Sequence, residues 1–221
     1  MNKINIQLIM LFISLLCISC NYKTNETPPP VLKTNNSNTI TIGTQVWMTT
    51  NLDVDHYRNG EAIPQASDQW LNLRTGAWCY YNNDSATGTV YGKLYNWYAV
   101  NDPRGLAPAG WHIPSDKEWT ILITYLGGES IAGGKLKEAG TIYWESPNSG
   151  ATNESGFSAL PGGFRYTNGT FINLRVNGNW WTSTEGEPFY AYCRYASFES
   201  AISVRSPGYK NSAFSVRCIR N

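Results

Sequence analysis

The chain is predicted to fold as an α+β domain, loop-rich, with antiparallel sheets and two to three helices. Three observations carry this expectation. Helical spacing of apolar residues is confined to short stretches in the middle of the chain, while the second half is a series of short segments that alternate or nearly alternate apolar and polar residues. Glycine, asparagine and proline punctuate these segments, with 20 glycines and 11 prolines among 221 residues. A few helices followed by a long run of short strands is the pattern of an α+β architecture.

The elements follow in order. Thr39–Ile42 and Gln45–Met48 flank Gly43-Thr44 as a hairpin. Tyr91, Leu94, Tyr95 and Tyr98 share one helical face, so a helix is expected over residues 91–100, ended by Asn101-Asp102-Pro103. Ser115-Asp116-Lys117-Glu118 is a capping box, in which the Ser115 hydroxyl accepts from the Glu118 amide and Glu118 reaches back. Trp119, Leu122, Ile123 and Leu126 then form an apolar face, and Gly127-Gly128 closes the helix. A short third helix is expected over residues 131–137, with Gly133-Gly134 weakening it. Asn168-Gly169 between residues 164–166 and 171–174 is a strong hairpin signal, and Asn177-Gly178 precedes Trp180-Trp181. Residues 190–198, 201–205 and 214–219 complete the strands.

The N-terminus has its own logic. Lys3 precedes an apolar run from Ile4 to Ile18, which ends at Ser19-Cys20. Residues 1–19 are thus expected to be a lipoprotein signal peptide, too short to span a bilayer comfortably, cut so that Cys20 becomes the lipidated N-terminus. A diacylglyceryl group on the thiol and a third chain, such as palmitate, on the amine would bind the membrane firmly, at roughly 0.8 kcal/mol per buried methylene. Residues 20–38, polar and carrying Pro28-Pro29-Pro30, read as a flexible tether, and residues 39–221 as one domain.

Composition removes several functions. Lys3 is the single charge before the cut, so 17 basic and 16 acidic residues overall leave the mature chain formally neutral. With no basic cluster, nucleic acid is not expected as a partner. Cys79, Cys193 and Cys218 are disulfide candidates outside the cytoplasm, with three pairings open, and no spacing among them suggests zinc. No glycine-rich phosphate loop occurs, and His56 and His112 sit in no triad context. Glu145, Glu154, Glu185 and Glu187 could serve a glycosidase, but no spacing pairs them. No catalytic residue is therefore assigned.

Nine tryptophans and fourteen tyrosines exceed what a minimal core needs. Filling a loop-rich core is one explanation and stacking on sugar rings is the other. The best expected ligand-binding surface joins Trp180, Trp181, Glu185, Tyr190 and Arg194, with Trp144 beside them; of the paired tryptophans, at least one should be core.

Six blocks together resemble a known family. They are Gly43-Thr44-Gln45-Val46-Trp47-Met48 with Asn51-Leu52, Tyr91 to Trp97, Gly110 to Asp116, Gly156 to Gly163, Trp180 to Glu185, and Phe214 to Cys218. In this order they look like the Fibrobacter succinogenes major paralogous domain, found in many Bacteroidetes and Fibrobacteres lipoproteins. The resemblance implies a C-type lectin-like or formylglycine-generating-enzyme-like fold whose two ends meet in one sheet, and no established activity. With the lipoprotein signal it also implies a cell-envelope protein, lipid-anchored to the outer membrane on its periplasmic face or the cell surface; the expectation of a glycan or protein ligand rests on the aromatic surface and not on the resemblance. Lectins of this fold often hold calcium on a Glu-Pro-Asn loop, whereas Gly186-Glu187-Pro188-Phe189 here lacks the third oxygen donor, so no metal residue is assigned. A polysaccharide-acting hydrolase and a structural envelope protein are the alternatives.

Overall fold

The computed structural model describes residues 38–66 and 70–221. The expected signal peptide, Cys20 and the expected tether up to Ser37 lie outside the described residues. In chain order the elements are β1 (Thr39–Ile42), β2 (Gln45–Met48), β3 (Trp78–Cys79), α1 (Ser85–Tyr91), β4 (Leu94–Asn96), α2 (Trp97–Val100), β5 (Trp111–His112), α3 (Asp116–Tyr125), α4 (Glu129–Leu136), β6 (Gly162–Arg165), β7 (Phe171–Leu174), β8 (Asn177–Glu185), β9 (Tyr190–Ser197), β10 (Ser203–Tyr209), β11 (Ala213–Phe214) and β12 (Ile219–Arg220). All the strand ladders are antiparallel, in three sheets ordered β1-β2-β12-β5, β10-β9-β8 and β3-β4-β11-β6-β7. The α+β expectation therefore stands, with four helices among the described residues rather than two or three.

Local signals landed where their chemistry is strongest. In the β1–β2 hairpin Ile42 pairs Gln45 across Gly43, whose φ of 60° at the first turn position is open to glycine at no steric cost. The capping box of α3 forms in both directions: Ser115 Oγ accepts from the Glu118 amide at 3.3 Å, and Glu118 Oε2 accepts from the Ser115 amide at 2.8 Å. Trp119, Leu122 and Ile123 are the buried face of that helix. The β6–β7 hairpin turns at Asn168-Gly169, with Gly169 at φ 89°.

Three expectations are corrected. Residues 91–100 are not one helix: α1 stops at Tyr91, Gly92 turns at φ 76°, β4 follows, and the Asn96 side chain then caps α2 by accepting from Ala99 N at 3.0 Å. All three residues of β4 are buried, and a short run with no exposed face carries no usable period. Residues 214–219 form two short strands in different sheets, separated by a segment that bonds across to Trp181 and Leu52. Finally, Gly133-Gly134 serves α4 rather than weakening it. A Cβ at Gly133 would lie 2.3 Å from the Ile202 carbonyl oxygen, and one at Gly134 would lie 2.2 Å from that of Gly150.

The core is organised around indoles. Trp47, Trp119, Trp144, Trp180 and Phe157 pack between α3, α4 and the first sheet, while Trp97, Trp181, Tyr95 and Phe214 fill the centre. Two buried cations knit the loops. Arg217 donates to the Met48 and Phe157 carbonyls at 3.0 and 2.6 Å and to Asn51 Oδ1. Lys137 donates to the carbonyls of Ser149, Ser197 and Ser200 at 2.8–2.9 Å, and burial pulls its ammonium down to about 8. Buried charge needs such full satisfaction, because an unmet group inside costs free energy. No helix among the described residues is long and apolar enough to cross a membrane.

Candidate functional site

The expected tryptophan platform does not exist on the surface. Trp144, Trp180 and Trp181 are at most 2% exposed. Each spends its indole N–H inside: Trp144 to the Ala159 carbonyl at 3.0 Å, Trp180 to Asn51 Oδ1 at 2.9 Å, and Trp181 to the Tyr95 carbonyl at 2.8 Å. Both paired tryptophans are buried because β8 lies between two cores, with Trp180 in one and Trp181 in the other. Arg194 is also buried, donating to Asp116 at 2.9 Å, Thr120 at 2.8 Å and Glu129 at 3.3 Å, so it ties β9 to α3 and α4. Of the expected set, only Glu185 and Tyr190 reach the surface.

Of the carboxylates that the sequence offered to a glycosidase, Glu187 is exposed on the turn before Phe189 and the other three are occupied. Glu145 pairs with Arg175, Glu154 with Lys135 and Glu185 with Lys210, each acid with a cation of its own. Glu118 sits between Ser115 and His112, accepting from Ser115 Oγ at 2.8 Å and meeting His112 Nε2 at 2.7 Å. The carboxylate is where a triad needs the imidazole, so this group is a helix cap. Lys210 Nζ also takes the Pro188 carbonyl at 2.8 Å, so an ammonium holds the Glu-Pro turn that calcium-binding lectins give to the metal. No group of three or more His, Cys, Asp or Glu side chains among the described residues could hold a metal ion. Cys79, Cys193 and Cys218 are free and buried, which corrects the expected disulfide; burial pushes all three thiols up to about 12.

What the fold does build is a cleft of about 420 Å³ walled by five separate parts of the chain. Leu71 and Asn72 come from a 3-10 turn (Trp70–Asn72), with Arg74 just after it, and Tyr98 comes from α2. Tyr166 and Thr167 stand at the tip of the β6–β7 hairpin, Phe189 leads into β9, and Tyr209 and Asn211 follow from β10. Alternation along β10 explains Tyr209. Gly208 faces inward, where a Cβ would strike Phe214 at 2.6 Å and Trp181 at 2.9 Å, so its neighbour must face out. Leu71, Tyr166, Phe189 and Tyr209 are 53, 39, 70 and 39% exposed, an apolar gathering on one surface.

The cleft is braced from behind. The Trp70 indole donates to the Asn211 carbonyl, and Asn211 Nδ2 donates back to Leu71 O at 3.0 Å. Arg165 lies under the floor, 4.5 Å from the Trp70 ring centre and 4.9 Å from that of Phe171, with Nη1 on Ala66 O at 2.8 Å. Lys210 fixes the Phe189 turn through the Phe189 and Pro188 carbonyls. Tyr209 stacks on Tyr190 at 4.5 Å and meets Tyr166 edge-on at 6.3 Å. The Asn72 amide and the Tyr98, Tyr166 and Thr167 hydroxyls have no partner among the described residues and face the cleft as free donors and acceptors.

Sequence reasoning missed every one of these residues except Tyr190. A signal was present: Tyr166, Phe189 and Tyr209 each stand beside a turn, where a large ring has no facing layer to cover it.

A family model described as the Fibrobacter succinogenes major domain matches residues 40–220. No curated protein and no solved structure matches the chain.

Proposed function

Because the chain belongs to the Fibrobacter succinogenes major domain family, whose members we read as envelope lipoproteins, we propose that it is a lipid-anchored, non-enzymatic glycan-binding module. The observation that carries this is the braced cleft of exposed tyrosine and phenylalanine faces beside free amide and hydroxyl groups. Pyranose rings have an apolar face that stacks on an aromatic ring and a hydroxyl edge that such groups satisfy. A cleft held rigid before binding loses little ordering entropy on capture, which favours affinity from few contacts.

A C-type lectin-like fold belongs to this reading. β12 lies between β2 and β5 and joins the two ends of the domain in one sheet. The anchor is assigned to Cys20, with the outer membrane as its site. Cys20→Ala is expected to abolish labelling by palmitate and release the protein from the membrane fraction. The central test is retention of the full-length chain, in detergent, on plant and bacterial polysaccharides, with and without chelator. Retention that survives chelation and is lost in Tyr166→Ala with Tyr209→Ala supports the cleft. Retention unaffected by those changes, or none on any polymer, overturns it. A protein ligand is the second reading, favoured by a groove of about 520 Å³ lined by Val176, Tyr195, Phe198, Ile202 and Val204.

A further inference from the structure

Among the described residues Arg74 is the single charged residue lining the cleft. Its guanidinium is anchored by Nη1, which donates to Leu73 O at 2.9 Å and Leu71 O at 3.3 Å. Those two bonds use both Nη1 hydrogens, and the Nε–H and the two Nη2–H groups have no partner among the described residues. The open Nε–Nη2 edge is a planar fork whose spacing matches the two oxygens of a carboxylate. Among the described residues no Asp or Glu lines the cleft, and nearby Glu185 is committed to Lys210. Glu187 lies on the turn before Phe189 and does not line the cleft.

We propose that the cleft takes an acidic glycan: a hexuronic acid carboxylate on the Nε–Nη2 edge of Arg74, and sugar ring faces on Tyr166 and Tyr209. This rests on the glycan reading above and narrows it to uronate-containing polysaccharides. A neutral sugar would leave the fork facing water, whereas the carboxylate gains two parallel charge-assisted hydrogen bonds. The mature chain is formally neutral, so diffuse attraction to a polyanion contributes little and the local fork decides.

The test compares two forms of one polymer. Full-length protein in detergent is run against polygalacturonate and against the same polymer methyl-esterified, both with chelator present. Retention is expected to be at least about tenfold stronger on the free acid, the range of one charge-assisted hydrogen bond. Arg74→Gln is expected to bring the free acid down to the level of the ester with an unchanged thermal midpoint. Lys117→Gln, an exposed cation on α3, is expected to change nothing. Equal retention of both polymers, an Arg74→Gln protein that binds the acid like the parent, or an equal loss in Lys117→Gln overturns the acidic preference. So does binding of neutral polysaccharides alone. In each of these cases the glycan reading stands if Tyr166→Ala still abolishes retention, and falls if it does not.

Discussion

Tryptophan and tyrosine have opposite fates in this molecule. The indoles of the core are fasteners: of the eight buried tryptophans, all but Trp119 donate their N–H to a protein acceptor. The tyrosines of the cleft are part-exposed, Tyr166 and Tyr209 beside turns and Tyr98 on α2, and among the described residues the Tyr98 and Tyr166 hydroxyls are unclaimed. The same aromatic class thus holds the fold in one region and offers a surface in the other. An indole has one donor that a single carbonyl satisfies, so it suits burial, whereas a phenol on a turn keeps a polar tip in water.

Four perturbations break or sharpen this contrast. The largest effect is expected in the core. Trp181→Ala removes a fully buried ring packed 4.3 Å from Phe214 and its indole hydrogen bond to the Tyr95 carbonyl. It should cost about 3–5 kcal/mol in a denaturant titration. Next is the acid limb of the α3 cap. Burial acts to raise the Glu118 carboxyl, but the Ser115 amide, His112 and the Ser115 hydroxyl together hold it below its usual 4.5. A carboxyl lowered on folding contributes stability above its unfolded value and loses it as pH falls through the folded one. Stability measured from pH 6 down to 3 should therefore drop by about 1 kcal/mol more in the parent than in Glu118→Gln. Smaller again is the stability effect of Tyr166→Ala or Tyr209→Ala, within about 1 kcal/mol, while polysaccharide retention is lost. A destabilisation as large as that of Trp181→Ala would erase the distinction between the regions. The smallest is no effect at all: reductant should leave the thermal midpoint unmoved, because the three thiols are free, whereas breaking a disulfide would cost about 2–5 kcal/mol.

Legibility in the sequence followed range. The β1–β2 and β6–β7 hairpins and the α3 cap were readable because their causes lie within a few residues: a turn glycine, an Asn-Gly pair, a serine three places before a glutamate. Residues 91–100 misled because the spacing of Tyr91, Leu94, Tyr95 and Tyr98 is helical by arithmetic, while Gly92 and the Asn96 cap break the chain into three elements. Gly133-Gly134 read as helix weakness, since the carbonyls of Ile202 and Gly150 that press on them are remote in sequence. The platform was misplaced for the same reason. That Trp180 and Trp181 enter two different cores depends on what packs on each face of β8, and no local pattern reports it. The cleft was invisible, as its walls are separate parts of the chain that meet only once the sheets have formed.

The Arg217 brace reaches the Met48 carbonyl 169 residues earlier in the chain, and β12 slots between β2 and β5. During synthesis the N-terminal hairpin therefore emerges long before the segment that locks it. Folds dominated by such distant pairings form slowly. The first sheet is therefore complete only once the last strand of the domain has been made and has reached it.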